Sequence, residues 1–369
     1  MKVTFAFPVP SLCGGCRVVA IYAQALANNG HEVTIVCPSH KNGGVAATLK
    51  RLMKGDIFLR DHLAHSHFSN LAGVNIIQLP PAKMSSPSFY PRADVLVATW
   101  WKTVEWIAGF PEEKGKKCYF VQHHEVHDEQ PRERVELTYK TPYPKIVIAE
   151  WLSKVMAEQY DDHRTHLVPN AVDHTLFFRE EDTTAAEFTV CSMYSETRFK
   201  GVDITLSAFS RVRERIPQAH MIMFGAEPLR DGRTLPEGVE FVLAPSRAKL
   251  RQIYASSRAY VFSSRSEGFG LPILEALACG CPVVATDAGC APEYIRNGVN
   301  GYINEVDDVD GQANSIESIL RLESAAWVTM SKAAIDAVAN SSWSNSSNTF
   351  EKVLACLTDA EMPLCKDAV

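Results

Sequence analysis

The chain has 369 residues, 46% of them hydrophobic and 22% charged, with 43 acidic residues against 37 lysines and arginines and a net charge of -6. That length suits two domains, and an ordinary globular composition with near-average glycine and proline excludes collagen-like and low-complexity classes. The acidic balance excludes a global draw toward nucleic acid, and no stretch reaches the roughly 18–20 apolar residues of a membrane-spanning helix.

Residues 3–10 are apolar but interrupted by two prolines, with only Lys2 before them, so they read as a buried first strand and not as a signal peptide. Ten cysteines in this length are too sparse for a disulfide scaffold, which implies a reduced, cytoplasmic protein, with peripheral membrane contact left open. Cys13-Gly14-Gly15-Cys16 forms a C-x-x-C, but no second pair completes a zinc site, so neither a metal nor a redox role is assigned to it.

A strand is expected over residues 3–7, followed by a glycine-containing loop over 8–17. Val18, Val19, Ile21, Tyr22, Ala25 and Leu26 then fall at helical spacing. That helix stops near Asn28-Asn29-Gly30, and residues 32–37 form the next strand, which makes a Rossmann-like βαβ start. Further strands are predicted at 74–79, 95–99, 117–122 and 145–149, with a helix at 153–160. Proline and asparagine turn signals over 166–178 mark a connection between domains spanning 1–166 and 167–344. The alternation then restarts, with strands at 188–193, 219–224, 241–244, 260–263 and 282–286. Helices are expected at 202–216, 246–255 and 272–279. Two such runs predict an α/β protein of two Rossmann-like parallel-sheet domains facing each other across a cleft, with ligands beyond the carboxyl ends of the strands.

Three local patterns are candidates for chemistry. Over residues 265–289, a strand end leads into a loop with Glu267, Gly268, Phe269 and Gly270. Leu271 follows, then a helix with Pro272 at its first position and Glu275 in its first turn. Free N–H groups at that helix start suit a phosphate, and a carboxylate there accepts ribose hydroxyls. His123, His124, Glu125 and His127 follow a strand, where alternation points neighbours apart, so metal ligation is not expected. Trp100, Trp101 and Trp106 pave an acceptor surface or pack a core.

The run Glu267, Gly268, Phe269, Gly270, Leu271, Pro272 and Glu275, followed by Gly280-Cys281-Pro282-Val283-Val284, resembles the E-x7-E region of GT-B glycosyltransferases, most closely the retaining family 4 (group 1) enzymes. Val168-Pro169-Asn170-Ala171-Val172-Asp173, Phe199-Lys200-Gly201 and Gly298-Val299-Asn300-Gly301-Tyr302 resemble further segments of that family, in order along most of the chain. The resemblance implies a nucleoside-diphosphate sugar as donor, bound mainly by the second domain. It implies a carbohydrate, lipid-linked or small-molecule acceptor, retention of configuration, and no bound cofactor or metal.

By the same resemblance, Glu275 binds the ribose, Glu267 lies against the transferred sugar, and Lys200 holds the diphosphate with an arginine. That arginine's position is Tyr194 here, and Arg198 is the nearby substitute. Gly14 and Gly15 match the family's glycine-rich loop, which approaches the donor phosphates or the acceptor, and one of His123 and His124 stands near the donor sugar. The last helix, within 345–369, is expected to pack back on the first domain. No Asp-x-Asp pair is placed at a strand end to hold a metal, and Asp161-Asp162 and Asp307-Asp308 read as turn or cap residues.

Rival readings are a dehydrogenase, which lacks its G-x-G-x-x-G after the first strand, a non-catalytic sugar-nucleotide binding protein, and a sugar phosphorylase on the same fold.

Overall fold

A computed structural model describes residues 1–39, 63–127, 130–230 and 232–359. The chain divides into two compact units, Met1–Pro169 with Ser344–Val369, and Asn170–Trp343. Residues 360–369 of the expected last helix lie outside the described residues.

In the first unit the elements are β1 (Lys2–Ala6), α1 (Gly14–Asn28), β2 (Glu32–Pro38), β3 (Val74–Leu79), β4 (Val95–Ala98) and α2 (Trp101–Ile107). They continue with β5 (Lys116–Val121), α3 (Arg132–Tyr139), β6 (Lys145–Val147), α4 (Glu150–Tyr160) and β7 (Thr165–Leu167). The strands form one parallel sheet in the order β3-β2-β1-β4-β5-β6-β7. Its central strands are buried along nearly their whole length, as a sheet covered on both faces requires.

The second unit follows with β8 (Thr189–Met193), α5 (Val202–Arg215), β9 (His220–Gly225), β10 (Val239–Leu243), α6 (Arg247–Ser256) and β11 (Ala259–Phe262). Then come α7 (Leu271–Ala278), β12 (Val283–Thr286), α8 (Ala291–Tyr294), β13 (Gly301–Asn304), α9 (Val309–Leu320) and α10 (Ser324–Val338). Its sheet is also wholly parallel, in the order β10-β9-β8-β11-β12-β13. Each unit is thus a Rossmann-like layer of strands between helices.

The last helix, α11 (Trp343–Thr358), belongs to the first unit. Its Phe350 stacks on Tyr22 at 4.4 Å and meets Phe120 edge-on at 5.3 Å. The helix starts at Trp343, two residues before the expected bound at 345.

Two boundaries depart from expectation for physical reasons. The predicted loop over 8–17 is cut short because α1 begins at Gly14. Extended Cys13 caps it, its Sγ accepting from the Cys16 backbone N–H at 3.4 Å. The connection predicted from residue 166 begins later, because Thr165–Leu167 adds a seventh strand against β6.

Candidate functional site

In a parallel sheet, loops that leave neighbouring strands at their carboxyl ends lie side by side. β8 and β11 are such neighbours. The loop after β8 carries Arg198, Lys200 and Gly201, and the loop after β11 carries Glu267 to Gly270. Gly201 has φ +65°, and a Cβ there would fall 1.9 Å from the Ser263 carbonyl oxygen, so only glycine lets the two loops touch. The Phe199 carbonyl accepts from the Arg265 N–H at 2.7 Å. This contact brings Lys200 Nζ to 2.5 Å from Glu267 Oε2, joining two predicted residues that stand 67 positions apart. The ammonium also lies over the Phe199 ring, 5.4 Å from its centroid.

Arg265, which the sequence pattern did not single out, clamps these loops. Its guanidinium donates to Asp203 at 2.7 and 3.0 Å, to Asp307 at 2.6 Å and to the Arg198 carbonyl at 2.7 Å. Asp203 first, then Asp307, hold it further above its already high range. Arg198 therefore contributes its carbonyl to the scaffold, while its side chain is exposed.

Gly270, at φ +97°, is the N-cap of α7. Leu271 takes the first helical position and Pro272 the second, one residue later than expected, so proline still removes an N–H that no carbonyl would have met. Glu275 is likewise displaced from the expected first turn into the second. It is only 5% exposed, with Arg247 Nη1 3.8 Å away across from α6. Gly268 and Phe269 are buried, and the Phe269 carbonyl accepts from the Cys290 N–H at 2.7 Å. Tyr194, the first residue after β8, packs its ring on Phe241 and donates its hydroxyl to Glu196.

The first unit presents a different edge. Gly14 and Gly15 form the first turn of α1 and not a free loop. Against Gly15 lies Gln122, just past β5, whose Oε1 would sit 3.5 Å from an added Cβ and is buried without a hydrogen-bond partner among the described residues. Nothing in the local pattern marked Gln122, because an isolated glutamine carries no periodicity.

The next two residues diverge, as alternation demands. His124 turns into the protein, its Nε2 2.7 Å from the Tyr160 hydroxyl and its ring 5.4 Å from that of Tyr139. Burial, with some repulsion from His123, lowers it to about 4, so it is neutral near pH 7. His123 instead meets the rings of Trp151 and His127.

Trp101 is buried and donates through Nε1 to Gln130 at 3.2 Å, which makes it packing and not an open sugar platform. Cys16 is buried, and burial pushes its thiol up to about 12, away from nucleophilic chemistry.

Among the described residues no group of three or more His, Cys, Asp or Glu side chains is arranged to hold a metal ion. An Asp-x-Asp spacing does occur at Asp308 and Asp310, at the start of α9. Both carboxylates are engaged there, Asp308 capping the Gly311 N–H at 2.8 Å and Asp310 pairing with Arg211. Asp162, expected as a turn or cap residue, accepts from the Arg164 N–H at 3.0 Å and is also bound to buried Lys145 at 2.5 Å. No described helix is long and apolar enough to cross a membrane.

Comparison with known proteins agrees with this geometry. Residues 176–336 match the family model "Glycosyl transferases group 1". The D-inositol 3-phosphate glycosyltransferase of Mycobacterium marinum is 37% identical over 125 residues, 34% of this chain and 27% of the relative. Its counterpart in Mycobacterium avium is 32% identical over 162 residues, 40% of this chain and 37% of the relative. The matches thus span little more than a third of these relatives' length at most.

Among solved structures, sucrose-phosphate synthase from Thermosynechococcus elongatus superposes with a TM-score of 0.73 at 16% identity, covering 96% of this chain and 98% of the other. HepE from Anabaena, in complex with UDP-glucose, gives 0.72 at 16% identity over 96% and 99% of the two chains. The chain has the GT-B architecture, two Rossmann-like parallel-sheet domains, and the segment that matches the group 1 glycosyltransferase model lies within its second unit.

Proposed function

We propose that the protein transfers a sugar from a nucleoside-diphosphate sugar to an acceptor hydroxyl with retention of configuration. The observation that carries this reading is the Lys200–Glu267 pair, 2.5 Å apart beside the Gly270-capped start of α7.

When the anomeric C–O bond to the diphosphate breaks, negative charge grows on the leaving group. The ammonium of Lys200 and the N–H groups at the start of α7 are fixed donors for that charge. Glu267, at the other end of the pair, faces the transferred sugar, and Glu275 accepts from the ribose hydroxyls. The acceptor oxygen bonds to the anomeric carbon on the face the diphosphate leaves, and its proton passes to a leaving phosphate oxygen.

In the first unit one of His123 and His124 stands near the donor sugar. Gly14 and Gly15 let the start of α1 approach the donor phosphates or the acceptor. The second unit is the donor domain and the first the acceptor domain. The charge carried by Lys200 takes the place of a divalent metal, so turnover needs none.

HepE, a fold neighbour, was solved with UDP-glucose, which favours a uridine nucleotide for the first trial. The curated relatives' name points to small polyol phosphates as one acceptor class beside glycans and lipid-linked sugars. The site of action is the cytoplasm, with peripheral contact at a membrane when the acceptor is lipid-linked.

The test is a thermal-shift screen with UDP-, GDP-, ADP- and dTDP-sugars, followed by product analysis by NMR. One sugar nucleotide is expected to raise the melting temperature and to give a product with the donor's anomeric configuration. No stabilisation by any of them, or tight binding without turnover on any acceptor, sinks the reading. Dependence on inorganic phosphate would move it to a phosphorylase.

A further inference from the structure

A leaving diphosphate carries more than one charge, and Lys200 alone, already shared with Glu267, does not offset it. The other cations on the carboxyl edge of the second sheet are not equally available. Arg265 spends Nε, Nη1 and Nη2 on Asp203, Asp307 and the Arg198 carbonyl, all at 2.6–3.0 Å. Arg198 projects into solvent from a loop whose geometry is set by its backbone.

Arg233 is different. It stands on the connection leaving the carboxyl end of β9, the strand next to β8. Tyr194 prolongs the pairing of those strands, its N–H donating to the Phe224 carbonyl at 2.7 Å. Over the Tyr194 ring lies the Arg233 guanidinium, 5.5 Å from the centroid. Glu196 touches only its Nη1, at 3.3 and 3.4 Å, and the side chain is 32% exposed. The guanidinium is therefore oriented by a ring and one long ion pair, with its other N–H groups uncommitted among the described residues. That is how a planar fork is presented to phosphate oxygens.

Resting on the donor reading above, we propose that Arg233 is a second diphosphate-binding residue, delivered from the β9–β10 connection to the place where Tyr194 stands instead of an arginine. Tyr194 and Glu196 position it, and it donates to the diphosphate together with Lys200.

The test is calorimetric titration of UDP, GDP, ADP and dTDP, each beside its monophosphate, into the full chain and its variants. Arg233→Ala is expected to weaken the preferred diphosphate by about tenfold to hundredfold while weakening the matched monophosphate far less. Arg233→Lys should recover part of the loss, because the charge returns without the fork. Arg198→Ala should leave both ligands within about twofold.

An Arg233→Ala protein that keeps the wild-type ratio of diphosphate to monophosphate affinity overturns the assignment. So does a collapse of that ratio in Arg198→Ala alone. Wild-type protein that binds none of the four nucleotides overturns the donor reading itself, a separate and recognisable failure.

Discussion

Each unit contains a lysine–carboxylate pair at 2.5 Å, and the two pairs differ in everything except that distance. In the first unit Lys145 and Asp162 are 0% and 5% exposed. Lys145 also donates to the Thr141 and Tyr143 carbonyls, and Asp162 accepts from the Arg164 N–H and Nε. Every donor and acceptor is used, so the pair is a fastening between β6 and the start of β7. In the second unit Lys200 and Glu267 are 20% and 16% exposed, on loops at the sheet's carboxyl edge. The ammonium has one carboxylate and one aromatic face as partners, so it can turn to an incoming anion at little cost. Burial and saturation of hydrogen bonds separate the structural ion pair of the first unit from the one proposed above to serve the donor.

The sharpest way to break this comparison is to remove one partner of each pair. Asp162→Ala leaves an uncompensated buried ammonium, and should destabilise the first unit by about 3–5 kcal/mol in denaturant unfolding. Lys200→Ala should cost turnover and not fold. A loss of about 2–4 kcal/mol in the barrier, roughly 30- to 1,000-fold in rate, is expected with an unchanged unfolding midpoint. Chelation by EDTA should leave wild-type turnover intact. If Lys200→Ala unfolds as readily as Asp162→Ala, or stays within about threefold of wild-type rate, the distinction between the pairs fails.

Glu275 sharpens it further, being buried like Asp162 yet placed in the second turn of α7, 3.8 Å from Arg247. Glu275→Ala should weaken donor binding by about 1–3 kcal/mol through two lost ribose hydrogen bonds. Unchanged affinity in a folded variant would return Glu275 to a purely structural role.

The smallest effect concerns His124. Its folded value of about 4 lies below that of an unfolded histidine, near 6.5, so the unfolded chain binds a proton first as pH falls. The stability tied to neutral His124 is fully present above about pH 6.5 and is lost as pH falls toward 4. Unfolding measured at pH 7 and pH 5 should show this loss, and His124→Gln should reduce it. An identical pH dependence in that variant would mean that the burial of His124 carries no penalty.

Much of the second unit's edge was legible because its residues are close in sequence. Glu267, Gly268, Phe269, Gly270, Leu271 and Glu275 lie within one loop-to-helix turn, where glycine and proline each answer a local backbone demand. The short helices α2 and α3, and the later α9 and α10, were not read. The first two have too few turns to show a period, and α10 is apolar on much of its surface, which blurs any stripe.

Alternation of strands and helices, read from residue spacing alone, determined that this protein is two parallel-sheet units. That follows because period and turn chemistry are properties of neighbouring residues. Only the tertiary structure decided that Lys200 meets Glu267, that Arg265 is a clamp and not a free cation, that Asp162 is buried against Lys145, and that His124 turns inward to Tyr160. Each of those outcomes depends on which strands lie adjacent in the sheet and how deeply a side chain is covered. The partners stand from 17 to 67 residues apart, farther than any local pattern reaches.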